Sequence, residues 1–358
     1  MKKIKVCIIG AGNISNTRHI PALKKLRKEV EIIGVLSSTR EKAENTAKKH
    51  RIANFAEVNN PENDKKWLVD LDWFGDVDAV VIGVPPKQHY DLVKMSLELD
   101  KHVLIEKPMM MDKKECDDCV KLAKRRKLIL YVMHNFQFAS KMQRLNKIIK
   151  NKEYGRILSI TEVQFSNLNR RLPKWYNDLP LGLFYDEAAH FAYLPALHAG
   201  PVRVVNSFAT WNKNKNVNTP NVLTVNALAG EEVPLTMLID VTSPICEWYY
   251  VVNFKDRICK YDLFKDILID LPSDNEHTVK EVFSNSVRSC WQYWVQFIAN
   301  GFKMFFGGGL FYGHDVEMKK FINAAKTGKV DRNISAEAGR ETVILMNDIV
   351  EKTEREKS

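Results

Sequence analysis

Three groups of residues in this chain have the types and spacing to do chemistry. In "CIIGAGNIS" the glycines Gly10 and Gly12 stand between a β-branched run and a helical pattern. In the fingerprint G-x-G-x-x-G the first glycine makes a tight turn and the second lets the backbone approach a pyrophosphate, which rests on the N–H groups that open the helix. Here those amides belong to Asn13 and Ile14, and the third position is Ser15, small but not glycine. Between strand and helix, with more strands to follow, the motif predicts dinucleotide binding. The second group is Glu106, Lys107 and Pro108 in "HVLIEKPM", where an acid, a base and a ring-locked residue arrive as a buried strand ends. The third is Asp186 and His190 in "GLFYDEAAH". Four apart on a helix they share a face, and an imidazole can carry a proton near neutrality. The plainer alternative for that pair is a capped helix with a satisfied histidine.

The end of the second apolar run bears on the cofactor. A site for NAD usually places Asp or Glu there to accept hydrogen bonds from ribose hydroxyls. This chain has "VLSSTREK", with Ser37, Ser38, Thr39 and Arg40. Hydroxyls and an arginine without a carboxylate suit the 2′-phosphate of NADP. NADP is the preferred reading, and NAD stays open because Arg40 can instead begin a helix and stack on adenine.

These residues need elements to position them. "KIKVCIIG", "VEIIGVLS", "DAVVIGVP", "HVLIE" and "LILYVM" lack polar alternation, as strands covered on both faces do. Helical patterns such as "RHIPALKKLRK" and "HYDLVKMSLEL" separate them, which predicts a doubly wound parallel α/β domain over residues 1–133. Beyond it "RILSITEVQFSN", "VRVVNSFATWN", "NVLTVNALAG", "VPLTMLIDVT", "EWYYVVNFKD" and "RICKYDLF" follow one another with little but turn residues between most of them. Strands without intervening helices predict an α+β domain with a mainly antiparallel sheet over residues 134–358. "NKNKNVNTP" is expected to be a surface loop.

The chain has 358 residues, enough for two cores, and a formal net charge of +10. Lysines on solvated helix faces account for that charge, and no block resembles a nucleic-acid-binding arm. Cys116 and Cys119 form a lone C-x-x-C without a second pair, so no metal site is expected and the thiols should be reduced. The apolar run at the start is too short for a signal peptide, and no run reaches the ~18 apolar residues of a membrane span. A cytoplasmic protein is expected. "FIANGFKMFFGGGLFYG" comes nearest to a span and reads as a core helix end and loop, with peripheral membrane contact left open.

"GAGNIS" with "RHIPAL", then "VPPKQHYDL", "HVLIEKPM" and "GLFYDEAAH", in that order, resemble the Gfo/Idh/MocA oxidoreductases. The resemblance spans essentially the whole chain. It implies hydride transfer between NAD(P) and a hydroxyl or keto carbon of a sugar, cyclitol or nucleotide sugar. It also implies that Lys107 reaches the substrate hydroxyl and the nicotinamide, and that Glu106 lies near the nicotinamide ribose. The peptide before Pro108 is often cis in such enzymes, Pro85 and His89 fall close to the cofactor, and Asp186 and His190 act on the substrate. Three departures stand out: only Gly182 remains of a glycine run before Asp186, Tyr193 replaces a frequent aspartate, and "HNFQF" gives Asn135 and Gln137 where an arginine is usual.

The mechanism expected from this has His190 take the hydroxyl proton while Lys107 stabilises the alkoxide. Asn135, Lys174, Trp175 and groups around 167–171 would hold the substrate. "SVRSCWQYWVQF" reads either as a grip on phosphate or as packing. Alternatives are an NAD-retaining glycosidase or epimerase working by transient oxidation, and a non-catalytic dinucleotide-binding regulator. The expected partners are a small carbohydrate or nucleotide sugar and, through the second sheet, a homodimer or homotetramer.

Overall fold

The computed structural model describes residues 2–58, 66–167, 172, 174–211, 218–306 and 312–355. The stretch 168–171, expected to help hold a substrate, lies outside the described residues, as do 212–217 of the expected surface loop and 307–311. Contacts divide the chain into two units, Met1–Asn135 with His314–Ile344, and Phe136–Gly313 with Leu345–Ser358. The expected single boundary after residue 133 therefore misses the return of His314–Ile344 to the first unit. Lys25 and Glu29 hold that segment through Asp315 and Lys326 at 3.2 and 2.9 Å, and Tyr131 forms an antiparallel bridge with Ser335.

The first unit carries six strands: β1 (Ile4–Ile9), β2 (Val30–Ser37), β3 (Asn54–Glu57), β4 (Ala79–Ile82), β5 (His102–Ile105) and β6 (Leu130–Val132). They are all parallel in the order β3-β2-β1-β4-β5-β6. β4 is buried at every position, as a strand covered on both faces requires. The helices between are α1 (Ile20–Lys25), α2 (Arg40–His50), α3 (Lys66–Val69), α4 (His89–Glu98) and α5 (Lys113–Arg126). α1 is preceded by a π turn, Ser15–His19, and carries Pro21 in its first turn. A proline removes one helical N–H and crowds the carbonyl four residues back, and a widened turn accommodates both. α5 starts on Asp112, whose carboxylate accepts the Glu115 N–H at 2.9 Å. Its Cys116 and Cys119 lie in the core, and burial pushes the Cys116 thiol up to about 12.

The second unit holds α6 (Ser140–Lys150), β7 (Ile157–Asn167), α7 (Leu183–Ala199), β8 (Val202–Thr210), β9 (Val222–Ala229), β10 (Val233–Asp240), β11 (Thr242–Phe254), β12 (Arg257–Asp262), β13 (Ile267–Pro272) and α8 (Val279–Phe306). Two helices close the chain, α9 (His314–Thr327) and α10 (Ala336–Arg355). The sheet runs β13-β12-β11-β7-β10-β9-β8 and is antiparallel except for one parallel pair, β7 with β10. α7, β8 and β9 intervene between those two strands and bring the chain back in the same direction. α7 is apolar nearly all round, which is the mark of a helix inside a core. Along β7, Ile160, Glu162, Gln164 and Ser166 are buried while Thr161, Val163 and Phe165 are half-buried, so one face is covered more fully than the other.

α8 is where the sequence reading and the structure part. Its inner face is polar and closes the sheet edge: Gln292 accepts the Asp270 N–H and donates to the Asp270 carbonyl, both at 2.9 Å. Gln296 does the same for Leu268 at 3.0 and 2.7 Å, and Asn300 donates to the Lys265 and Asp266 carbonyls. The two glutamines occupy edge groups of β13 that would otherwise invite another strand, and Asn300 holds the turn before it. The expected core helix end, residues 297–306, is thus corrected, while 307–311 of the loop expected after it lie outside the described residues. With its polar side turned to the sheet, α8 leaves Phe297 and Ile298 exposed.

α7 begins through Gly182, at φ +55°, where an added Cβ would lie 2.0 Å from the Thr219 hydroxyl that caps Leu183 N–H. Gly182→Ala should cost about 1–3 kcal/mol from backbone strain alone, read as a lowered urea midpoint; an unchanged midpoint would contradict this start of α7.

Candidate active site

In the first unit the chain changes direction of winding between β1 and β4, and the crevice of such a sheet opens at the carboxyl ends of those strands. Gly10 ends β1 at φ +105°, and a Cβ there would meet the Gly83 carbonyl oxygen at 2.4 Å. Gly12 has nothing within 4 Å of the position a Cβ would take. The first glycine therefore serves the turn and the second leaves room for a ligand. Asn16 fixes the loop, donating to the Ala11 and Gly12 carbonyls at 3.1 and 3.0 Å while its oxygen accepts from His50 Nε2 at 3.0 Å. Burial and then the Lys24 and Lys49 charges lower the His50 pKa, so a neutral ring makes that bond. With those carbonyls held, the amides of Asn13 and Ile14 stand at the helix start, suited to a pyrophosphate.

At the end of β2, Ser37 is buried while Ser38 and Arg40 are exposed. Thr39 caps α2 by accepting the Lys42 N–H at 3.3 Å. The Arg40 guanidinium lies 5.5 Å from the centre of the Phe55 ring, a stacked placement that keeps its N–H edges for an anion.

β5 delivers Glu106, Lys107 and Pro108. One Glu106 oxygen is 2.7 Å from His19 Nε2 and the other accepts the Lys107 N–H at 3.2 Å. Burial alone would raise this carboxyl, but the hydrogen bond and charge of His19, with His314 and Lys107 beyond, hold it down to about 2. Lys107 is half-buried, and the peptide between it and Pro108 is cis, in keeping with the family pattern.

His89, expected near the cofactor or as packing at a helix start, begins α4. It is wholly buried, with Nδ1 2.8 Å from the Pro108 carbonyl and Nε2 2.9 Å from the Val84 carbonyl. Burial, the larger influence, lowers its pKa against the pull of those carbonyls, so the ring is neutral and donates to one of them at a time. It ties the strand that ends at Ile82 to the turn at Pro108. Pro85 stays partly exposed at the end of β4, whereas Asn135, expected to meet substrate, is 4% exposed.

In the second unit, α7 carries Asp186 half-buried and His190 buried. His190 Nδ1 is 2.8 Å from the Tyr193 hydroxyl, which also accepts the Phe136 N–H at 3.1 Å. Phe136, Tyr193 and Trp248 stand edge-on around the imidazole at 4.8, 5.4 and 5.5 Å. Tyr193, noted in the sequence as a departure, thus orients the histidine with a neutral phenol. Trp248 Nε1, Ser166 Oγ and Gln164 Oε1 are buried without a hydrogen-bond partner among the described residues, a state usually resolved by a water or a ligand. Lys174 is exposed and Trp175 half-buried on a single 3₁₀ turn, Lys174–Asp178.

Residues 4–134 match the model of an oxidoreductase family with an NAD-binding Rossmann fold. That model is the one for the Gfo/Idh/MocA oxidoreductases, and the match is confined to the parallel-sheet part of the chain. Glucose-6-phosphate 3-dehydrogenase of Bacillus subtilis is 30% identical over 177 residues, 49% of this chain and 46% of that protein. The chain matches 30–60% of the length of these curated relatives. The fold of the whole chain is that of UDP-N-acetylglucosamine 3-dehydrogenase from Acidithiobacillus ferrooxidans, with a TM-score of 0.73, 16% identity and 99% of each chain covered. A mutant 3-ketoreductase from Actinomadura kijaniata, solved with TDP-benzene and NADP, gives a TM-score of 0.73 at 14% identity over 98% of each chain.

Sequence reasoning missed Asn16 and His19, which support the glycine loop and Glu106 in the first unit, and the contact of Tyr193 with His190 in the second. Asn16 sits four residues beyond Gly12 and could have been found by asking what holds the loop; the His19–Glu106 pairing leaves no local signal.

Two measurements follow. Gly12→Val should keep its melting temperature, since nothing is near the new side chain, and lose at least ~10-fold in NAD(P) affinity; unchanged affinity would remove the loop from the site. Because Glu106 falls from 4.5 unfolded to about 2 folded, its stabilisation is complete above pH 4.5 and is lost as pH falls through about 2. At ~1.4 kcal/mol per unit that is about 3 kcal/mol. Glu106→Gln should flatten the acid limb of the stability profile, and an identical limb in the variant would deny the clamp.

Proposed function

We propose that this chain is an NADP-preferring oxidoreductase that interconverts a hydroxyl and a keto group on a sugar, cyclitol or nucleotide sugar, with a hexose ring carbon 3 as the first choice. The observation that carries it lies within one row of strand ends. The open approach over Gly12 at β1 and the half-buried ammonium of Lys107 after β5 border the same edge of the parallel sheet. The named relatives support the choice of carbon, since their names specify position 3 on a glucose phosphate, on a nucleotide-linked amino sugar and as a 3-ketoreductase.

The cofactor, when bound, accepts or returns the hydride. The chain supplies the rest. The Gly10–Gly12 loop and the amides of Asn13 and Ile14 hold pyrophosphate, while Ser37, Ser38 and Arg40 hold the 2′-phosphate. Lys107 places positive charge where an alkoxide develops, an effect worth ~10²–10³-fold in rate. His190, oriented by Tyr193, moves the hydroxyl proton, for which ~10²–10⁴-fold is typical. Asp186, on the same helix face, orients substrate, and Trp175 with Lys174 offers an apolar plate and a cation for a sugar and its phosphate. The less covered sheet face, with Val163, Phe165 and Val251 half-buried, is the surface on which a second copy would dock.

Lys107→Met should bind NADP within a few-fold of wild type and lose at least ~10³-fold in turnover, followed at 340 nm with nucleotide sugars. Full turnover would end the assignment. Arg40→Ala should weaken NADP at least ~10-fold and leave NAD unchanged; equal losses for both would withdraw the NADP preference.

A further inference from the structure

α8 runs for 28 residues, about 42 Å at 1.5 Å per residue, and turns its apolar side to solvent. Val287, Trp291, Trp294 and Ile298 are 53%, 70%, 59% and 52% exposed, and Phe283, Phe297 and Phe305 stand 69%, 49% and 85% exposed beside them. At roughly 150–250 Å² per ring, the exposed parts of these aromatics alone reach the ~300–600 Å² of the largest patch on an ordinary monomer. The orientation is enforced from behind, because Gln292, Gln296 and Asn300 are bound to the edge of the sheet. The helix cannot roll to bury its rings without breaking those bonds.

The geometry points to one occupant: the interfacial layer of an anionic lipid bilayer, with α8 lying along it. The first argument is width. At 100° per residue the exposed apolar positions from Phe297 to Val295 span roughly 160° of the helix, wider than the narrow seam a single partner helix fills. The second is composition. Two of the chain's seven tryptophans, Trp291 and Trp294, lie on this face among phenylalanines, the residues that favour the headgroup boundary. The third is charge. No Asp or Glu occurs between Glu281 and Asp315, in a chain with 44 such residues among 358. Lys280, Arg288 and Lys303 are exposed on the same helix, and the whole chain carries +10. Two copies joined through this face would bring Lys280 and Arg288 of each copy toward the seam with only Glu281 on the helix to meet them, whereas an anionic surface complements them. No described helix is long and apolar enough to cross a membrane, so the contact is along the surface.

Flotation of the full chain with vesicles of phosphatidylcholine alone or mixed with phosphatidylglycerol tests this. The chain should float with the anionic vesicles, at least ~10-fold more tightly than with phosphatidylcholine, and its tryptophan emission should shift to the blue. Trp291→Ser with Trp294→Ser should lose at least ~10-fold in binding at an unchanged melting temperature. If that variant folds poorly, Lys280→Glu with Arg288→Glu should abolish the anionic preference instead. Failure to float with anionic vesicles overturns the proposal. So does a wild-type dimer that the tryptophan variant dissolves without any vesicle binding, which would give the face to a second copy.

Discussion

The Glu106 carboxylate, clamped between the His19 ring and the amide of the residue that follows it, governs how the first unit presents its cation. Its charge is buried, and a buried charge is tolerated only when its lone pairs are filled. His19 fills one oxygen from the helix that also begins the phosphate loop. The same contact therefore fixes the loop's helix against the end of β5. With Glu106 set, the chain leaves the sheet at one place, and His89 holds the following turn through the Pro108 carbonyl. The parts of a dinucleotide site are thereby built as one rigid piece before any ligand arrives, which is the preorganisation that charge stabilisation depends on.

The second unit solves a different problem. His190, the proposed proton carrier, lies in a helix that is apolar nearly all round, so polar groups around it are few and each is specific. Tyr193 takes the place at Nδ1 of His190, and the rings of Phe136 and Trp248 enclose it. A neutral phenol steadies the imidazole without the added charge a carboxylate would bring. Among the described residues, the unfilled hydrogen-bonding atoms of Trp248, Ser166 and Gln164 leave this unit with polar capacity to spare, which fits the hydroxyl-rich ligand proposed for it.

Much of this was legible in the residues. The β-branched runs placed β1, β2, β4, β5 and β6, because a strand buried on both faces has a composition that nothing else in the chain shares. Gly10 and Gly12 were legible for the same reason that they work: each answers a backbone requirement at a fixed offset. Direction and partners were not. The parallel pairing of β10 with β7 depends on where three intervening elements take the chain, which no local period encodes. His19 meets Glu106 across 87 positions, and the burial of His89 is set by packing around it, which the sequence does not show. α8 was misread because apolar faces ordinarily turn inward, and here glutamine and asparagine take that side.

The account is tested most directly by the structure of the chain crystallised with NADPH. It predicts pyrophosphate oxygens within hydrogen-bonding distance of the Asn13 or Ile14 amide, the nicotinamide beside the Lys107 ammonium, and the 2′-phosphate on Arg40. A dinucleotide found elsewhere, or a nicotinamide ring turned away from Lys107, would contradict it.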